Sequence, residues 1–540
     1  MTRLRAALTP AIGRGIRHLR SAPQAVWLTT ALFVALAGFW SLLAPMTRAP
    51  DEVTHFDLID HMARTGRFPD YDGRMFTQAA WTAGTTFIPS GPYAVATGPD
   101  DAAPRGQRPR LEDYGPMEPS TVANQMPQHP PLYYVAAGRV LAFYRWLAPA
   151  DAPLDQEWHV LRLFSILLMT PVPFLAWSAA RGLGAGDPAG VVAGLLVVAV
   201  PQVVHIGSTI NNDNLVVVLA ALTATGVARV LRGSSGLGLA TVVGLSAGAA
   251  LATKANAVVL VPWVGLAYLV QWLRGSSRVR TVKAAVTALG CAAMVGGAWP
   301  LRNLVRHGEL FPSTAAPTAK PAGSNSDLWY YLTHQFVPKI NQRFWGSFGY
   351  YDADLTRPLA LVASVVLGVA ALTAIWCGLP ARGRGSRGSG RVDLIAFASL
   401  VPLVVVTIAR RAYSYYVGQD RPPFMQGRYL YVALVPLMVV AAVGLVRLAS
   451  RWAALGVLGA ATILHGAGAW AGADVWWAEP GDPLSTKVAS VVAWSPWPPW
   501  TFYVTVTAVA VIGAGLALEL GRGAVGGAVG GGGARSVQSA

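Results

Sequence analysis

Twelve stretches of roughly twenty residues with almost no charge recur along this chain, and they constrain it more than any motif does. They run at 25–43, 162–180, 189–207, 214–231, 236–252, 256–273, 283–300, 358–378, 393–409, 428–446, 452–471 and 500–520. A helix needs about 20 apolar residues to cross a hydrocarbon core of about 30 Å. Backbone groups inside lipid must satisfy one another, which favours helices. The chain is 53% hydrophobic and only 13% charged, where soluble proteins average about 25% charged. The expected fold is therefore an all-α polytopic membrane protein of about 12 transmembrane helices.

Two residue counts exclude whole classes. Cys291 and Cys377 both sit in apolar stretches, so neither a disulfide framework nor a CxxC metal site can be built from them. The net charge of +16 invites a nucleic-acid partner, yet the arginines form short clusters between apolar runs instead of one polar face. The bias of basic residues towards the cytoplasmic side of a bilayer explains them better.

That bias also tests the topology. Arg3, Arg5, Arg14, Arg17 and Arg20 precede the first run, which is too long for a cleaved signal and reads as an uncleaved span. Arg181; Arg229 with Arg232; Arg274, Arg278, Arg280 and Lys283; Arg382, Arg384, Arg387 and Arg391; Arg447 with Arg451; and Arg522 with Arg535 then all fall on the amino-terminal side. The parity closes only if 132–147 does not cross. Its sixteen residues include Arg139 and Arg145, as suits an interfacial helix. Segments 46–161, 301–357, 410–427 and 472–499 share the opposite, extracytoplasmic face, and both termini are cytoplasmic. The organisation expected is one membrane domain over 1–520, with 46–161 as a first outer loop carrying juxtamembrane helices and 301–357 as a second. The Gly/Ser/Arg stretch 383–390 reads as a linker and 521–540 as a disordered cytoplasmic tail.

Polar groups stand where lipid would not choose them. Asp51 and Glu52 open a segment in which Val53, Phe56, Ile59 and Met62 recur at helical spacing, with Asp51 placed to cap and Gly66 to stop. An amphipathic helix on the outer membrane surface is expected, offering either acid as a general base at the lipid–water boundary. His55 lies one turn on, and His129 opens His129-Pro130-Pro131-Leu132-Tyr133-Tyr134. Asn211-Asn212-Asp213-Asn214 fills a junction between two apolar runs with almost no loop to solvate it, where ionisable groups cost several kcal/mol and usually mark function. Lys254, one of five lysines, with Arg302 and Arg428, and Tyr429 beside the last, sits at outer ends of spans. Anion binding is the economical reason for cations there. Asp352-Ala353-Asp354 fits a DxD pattern but lies outside the membrane and is read as aromatic packing around Phe344–Tyr351. Asp51 and His55 alone make no metal-ligand set, so no cofactor is assigned.

Taken together, Pro-Asp-Glu with His55 after the first span, His-Pro-Pro-Leu-Tyr-Tyr, Asn-Asn-Asp, Thr-Lys, Arg302-Asn303 with Gly308, Phe-Trp-Gly-Ser-Phe-Gly-Tyr and Gln-Gly-Arg-Tyr-Leu resemble the GT-C glycosyltransferases. Those multi-pass enzymes, among them protein O-mannosyltransferases and the aminoarabinose transferase of lipid A, take a sugar from a polyprenyl-phosphate carrier. The likeness runs from residue 26 to about 450 and is closer to a bacterial branch than to either of these. It implies a polyprenyl-phosphate sugar donor, a lipid, glycan or protein acceptor, inversion at the anomeric carbon, and no nucleic acid. It further implies catalytic acids at Asp51 (with Glu52 adjacent) and Asp213, and substrate contacts at His55, His129, Lys254, Arg302, Arg428 and Tyr429. The rival reading is a transporter or lipid flippase, whose inverted repeats and midplane charges contrast with candidates gathered at one face. A structural or assembly role is a third. A reporter fused at position 110 is expected to report the extracytoplasmic side; a cytoplasmic signal there overturns the whole arrangement.

Overall fold

The computed structural model describes residues 19–87, 98–149, 151–275, 277–312, 327–379, 389–418, 425–479 and 481–530. Arg3, Arg5, Arg14 and Arg17, nearly all of the 383–390 linker and the last ten residues of the expected tail lie outside them. The chain is a multi-pass membrane protein. Among the described residues nine helical stretches are long and apolar enough to cross a bilayer, ten if the bent pair Gly186–Val198 and Pro201–Gly207 is one span. Of the nine, Gly427–Trp476 runs 50 residues, or roughly 75 Å at 1.5 Å per residue, more than twice a bilayer core. It turns at Ser450, where φ is +49°, and divides into Leu434–Ala449 and Ala453–Trp476. With the shorter apolar helix Leu237–Leu251, the twelve segments expected from the sequence are all helical.

Cross-contacts sort the helix ends into two faces. At one, Trp477 donates to the Leu43 carbonyl, Lys254 pairs with Asp213, and Arg428 pairs with Asp51. At the other, Asp393 bridges Arg232 and Arg274, and Gln271 donates to the Leu231 carbonyl. Asp213–Leu231 and Ala255–Leu273 thus both run from the first face to the second. The site face is the one that carries the loops.

Two features set the heights of the loops at that face. The break between Gly186–Val198 and Pro201–Gly207 is 67° and falls where Pro201 lacks an N–H for the preceding turn. It delivers the polar run 208–214 to the end of the bundle. Leu237–Leu251 is fifteen residues long and packs backbone to backbone on Arg278–Gly296. A Cβ on Gly244 would lie 2.2 Å from the Ala288 carbonyl oxygen, and one on Gly248 would lie 2.8 Å from that of Ala292. Small residues four apart on both partners make this approach, as in tightly packed membrane helix pairs.

The first loop folds over the site face as a second core. Glu52–Thr65 and Leu132–Leu147 are both helices, the latter with the expected bounds and not among those fit to cross. The expectation that 51–66 lays its apolar face on the membrane is corrected. Val53, Phe56, Ile59 and Met62 are buried with Tyr133, Tyr134, Ala137 and Leu141, and Met62 meets the bare backbone at Gly138. A neighbouring helix was the better cover. The carboxy-terminal boundary also moves: the last helix runs Trp500–Gly530, past the expected start of the tail at Gly521.

Gly244→Val should force the seam apart and lower the thermal midpoint in detergent, since overpacking a close contact costs about 1–3 kcal/mol or more. Gly238→Val on the same helix, where nothing lies within 4 Å of a new Cβ, is the control. Equal midpoints would show that the seam does not hold these helices.

Candidate active site

The first span ends at Leu43, and the chain must then turn sharply before Glu52–Thr65 begins. Thr47 (φ +67°) and Asp51 (φ +62°) both adopt left-handed backbone here, as does Tyr351 (φ +67°) in the facing loop. Such residues cost energy and persist where the surroundings over-determine them, commonly at functional sites. At Asp51 the cause is visible. It occupies the cap position without capping, because its carboxylate instead takes the Arg428 guanidinium, whose other edge donates to the Pro50 carbonyl at 3.2 Å. The capping expectation is thereby corrected.

Arg428 is aimed by Gly427, where a Cβ would sit 2.1 Å from the Arg343 carbonyl oxygen, so no larger residue lets the two strands of backbone approach. Its Nε lies 3.1 Å from Asp213 Oδ2 as an ion pair without hydrogen-bond alignment. Asp213 Oδ1 accepts from Lys254 Nζ at 2.8 Å. Lys254 also donates to Asn212 Oδ1 at 3.3 Å and stands 5.1 Å over the Tyr429 ring. The polar tetrad is buried and used: Asn211 accepts from the Asp213 N–H, and Asn214 donates to the Thr209 carbonyl. Lys254 and Arg428 thus converge on one carboxylate, well inside the 15 Å or so that two side chains can reach around one phosphate.

The adjacent acids separate completely. Glu52 is fully buried, with Oε1 and Oε2 accepting from Arg162 Nε and Nη2 at 2.8 and 2.7 Å, and Oε1 also taking the Ile210 N–H at 3.1 Å. Three of its acceptor sites are taken by protein donors and it has no exposed surface. Side-chain exposure is 26% at Asp51, against 3% at Asp213 and 0% at Glu52. Of the three acids, only Asp51 can meet a reactant from the aqueous side. Three acids face three cations, Arg162, Lys254 and Arg428, as buried charge demands.

His55 Nδ1 lies 3.0 Å from the Tyr134 hydroxyl, which Asn212 also reaches at 3.5 Å. Burial, then Arg428 and Lys254, hold the His55 imidazole well below its ordinary pKa. Burial, then Lys254, do the same for His129. Burial thus biases both rings towards the neutral form, and the His55 ring hydrogen-bonds within the cluster. Arg302 is not brought in: it pairs with the half-exposed Asp70 at 2.5 Å and stacks on Trp299. Its charge is met by Asp70 and not by Asp51 or Asp213, in place of the expected grouping with Lys254 and Arg428. Among the described residues no three His, Cys, Asp or Glu side chains group as a metal-ligand set. Asp352 and Asp354 occupy a short hairpin, where Asp352 takes Arg48 and Asp354 takes the Ser347 hydroxyl.

Sequence reasoning missed Arg162, Arg48 and Arg411. Arg162 stood at the edge of an apolar run, a signal that could have found it. Arg48 follows the first span as Arg302 and Arg428 flank theirs. Arg411, exposed on Leu400–Gly418, comes close enough for its charge to act on His129.

Residues 143–299, which hold Arg162, Asp213 and Lys254, match the family described as dolichyl-phosphate-mannose-protein mannosyltransferase. No curated protein matches the chain. Among solved structures, ArnT from Cupriavidus metallidurans bound to undecaprenyl phosphate is similar at 16% identity, over 94% of this chain and 79% of that one, with a TM-score of 0.46. The apo state of ArnT gives 16% over 93% and 78%, at 0.47. The archaeal oligosaccharyltransferase AglB from Archaeoglobus fulgidus, in complex with an inhibitory peptide and a dolichol-phosphate, gives 11% over 90% and 56%, at 0.40.

Glu52→Gln should cost about 3–5 kcal/mol by leaving Arg162 buried with half a partner, seen as a lowered unfolding midpoint in detergent without any substrate. Asp51→Asn should cost less. The assignment of Glu52 to structure fails if the two midpoints fall together.

Proposed function

We propose that this multi-pass membrane protein is a glycosyltransferase of the GT-C type, which transfers a sugar from a polyprenyl-phosphate carrier to an acceptor hydroxyl on the extracytoplasmic face, with inversion at the anomeric carbon. Both termini then lie in the cytoplasm, and residues 1–520 act as one catalytic membrane domain. One observation carries the reading. Asp51, the one solvent-reaching member of the cluster, is locked to a buried Arg428–Asp213–Lys254 chain at the ends of several spans.

In this reading the acceptor oxygen attacks the anomeric carbon while its proton passes to Asp51. The bond from that carbon to the carrier phosphate oxygen breaks, and the phosphate leaves as an anion. The leaving group needs cations, not a general acid. Proton uptake by Asp51 removes one negative partner from Arg428 at the moment the phosphate supplies another, so the guanidinium passes from one anion to the next. Asp213 stays buried between Lys254 and Arg428 and keeps both oriented. Tyr429 supports Lys254, and His55 and His129 offer neutral hydrogen-bonding groups to donor or acceptor. Undecaprenyl phosphate and dolichol-phosphate, named with the similar structures, show the carrier chemistry to try first.

Purified protein given radiolabelled undecaprenyl-phosphate hexose and membrane acceptors tests this. Asp51→Asn is expected to lose transfer by about 10²–10⁴-fold, as for a removed general base. Arg428→Ala should lose well over about tenfold, since an unpaired buried charge remains. Arg428→Lys should recover only part, a fork having become a point charge. Parental rates in Asp51→Asn would overturn the mechanism.

A further inference from the structure

The apolar stretch Gly390–Val417 carries two adjacent arginines, Arg410 and Arg411, near its carboxy-terminal end. Its other end is fixed by Asp393, which bridges Arg232 and Arg274 at the face away from the ion-pair cluster. From Asp393 to Arg411 a helix rises roughly 27 Å at 1.5 Å per residue, which brings Arg411 to the far edge of a hydrocarbon core of about 30 Å. Tyr413, Tyr415 and Tyr416 follow at once, as aromatic residues do at headgroup height. A phosphate on a lipid carrier lies at that height.

Packing places the same arginine beside the cluster. Ala412 is buried with Tyr331, Phe336, Ile340 and Met425, and Leu400–Gly418 packs on Gly427–Ala433, which contains Arg428 and Tyr429. It also packs on Ala255–Val259, which directly follows Lys254. Arg411 is exposed there, and its charge is felt at both His129 and Tyr429. Among the described residues its guanidinium has neither an acid nor a hydrogen-bond acceptor. Neighbouring cations differ: Arg48 pairs with Asp352, Arg302 with Asp70, and Arg343 is held by the Met425 carbonyl and the Tyr351 ring.

A charge count separates the roles. Asp51 and Asp213 face Lys254 and Arg428, two against two, and Glu52 is matched by Arg162. The cluster is neutral, and Arg411 adds one uncompensated positive charge at its exposed edge. A polyprenyl-phosphate sugar is a phosphodiester with a single negative charge. Transfer leaves a monoester, which carries about −1.5 to −2 near neutral pH. The added charge appears as the acceptor proton reaches Asp51 and leaves Arg428 short of one anion. Arg411 alone therefore matches the diester, and Arg411 with Arg428 matches the monoester.

We infer that Arg411 docks the carrier phosphate before reaction and that Arg428 joins it only as the bond to the sugar breaks. The inference rests on the transfer reading and divides anion binding between two arginines. A contact made equally in ground and transition states sets KM, whereas one gained in the transition state sets kcat.

The full chain in detergent is titrated with undecaprenyl phosphate, phosphatidylglycerol and inorganic phosphate by microscale thermophoresis. Undecaprenyl phosphate should bind best, and Arg411→Gln should weaken it by about tenfold or more, the scale of a lost charged hydrogen bond. Arg411→Lys should recover part of the loss. Arg410→Gln removes the same charge about 100° away around the helix and should leave affinity unchanged. Arg411→Met replaces Arg411→Gln should the latter aggregate on gel filtration. Four results overturn the inference: no binding of undecaprenyl phosphate, undiminished affinity in Arg411→Gln, an equal loss in Arg410→Gln, or an equal dependence on Arg411 for phosphatidylglycerol or inorganic phosphate. With undecaprenyl-phosphate hexose as donor, Arg411→Gln should raise KM by about tenfold with kcat largely kept. Transfer at the parental KM in that variant sinks this inference and spares the transfer reading. Arg411-dependent binding of undecaprenyl phosphate by a parental chain that transfers nothing does the reverse.

Discussion

Buried charge must be matched, and the end of this bundle is organised by that requirement. Glu52 and Arg162 are 3% exposed or less, and Asp213 between Lys254 and Arg428 is nearly as dry. Unpaired, any of these ions would cost several kcal/mol. Each therefore fixes a partner from a distant part of the chain: the first loop to the second apolar segment, the polar run 208–214 to the turn at Lys254, and the start of Gly427–Ala433 to the first loop and the polar run. The helices could pack in several ways on apolar area alone. The ion pairs select one register.

Local backbone then concentrates where those pairs converge. The left-handed residues Thr47, Asp51 and Tyr351, and the side-chain-free contact at Gly427, lie within the loops that carry the charged groups. Asp51 shows the trade. It gives up capping its own helix, which is worth about 1 kcal/mol, and takes instead a charged hydrogen bond to Arg428, a stronger interaction. The result is a carboxylate held rigidly at an aqueous edge.

Much of this was legible beforehand. The apolar runs specified the twelve helical segments, and the bounds of Leu132–Leu147 were read as the structure has them. Cations placed against their insertion preference led to Lys254 and Arg428. What could not be read was direction within a turn. Asp51 and Glu52 are neighbours in sequence, but about 100° apart around a helix end; one meets Arg428 and water, and the other Arg162 and no water. Arg302 shared its sequence context with Arg428 and differs only through Asp70, more than two hundred residues away. Whether an amphipathic helix covers itself with lipid or with another helix is likewise a tertiary choice, and Val53, Phe56 and Met62 took the helix.

The short helix Leu237–Leu251 has a consequence for the surrounding bilayer. Fifteen residues rise only about 22 Å, against a hydrocarbon thickness of about 30 Å, and Leu237, Val242 and Leu245 are exposed on its outer surface. Hydrophobic mismatch of this size is relieved by local thinning of the membrane. Headgroups beside this helix are drawn inward, towards the turn that carries Lys254. For the proposed polyprenyl-phosphate donor, such thinning would bring the headgroup layer nearer to the height of the ion-pair cluster, and the effect would grow with the thickness of the host membrane.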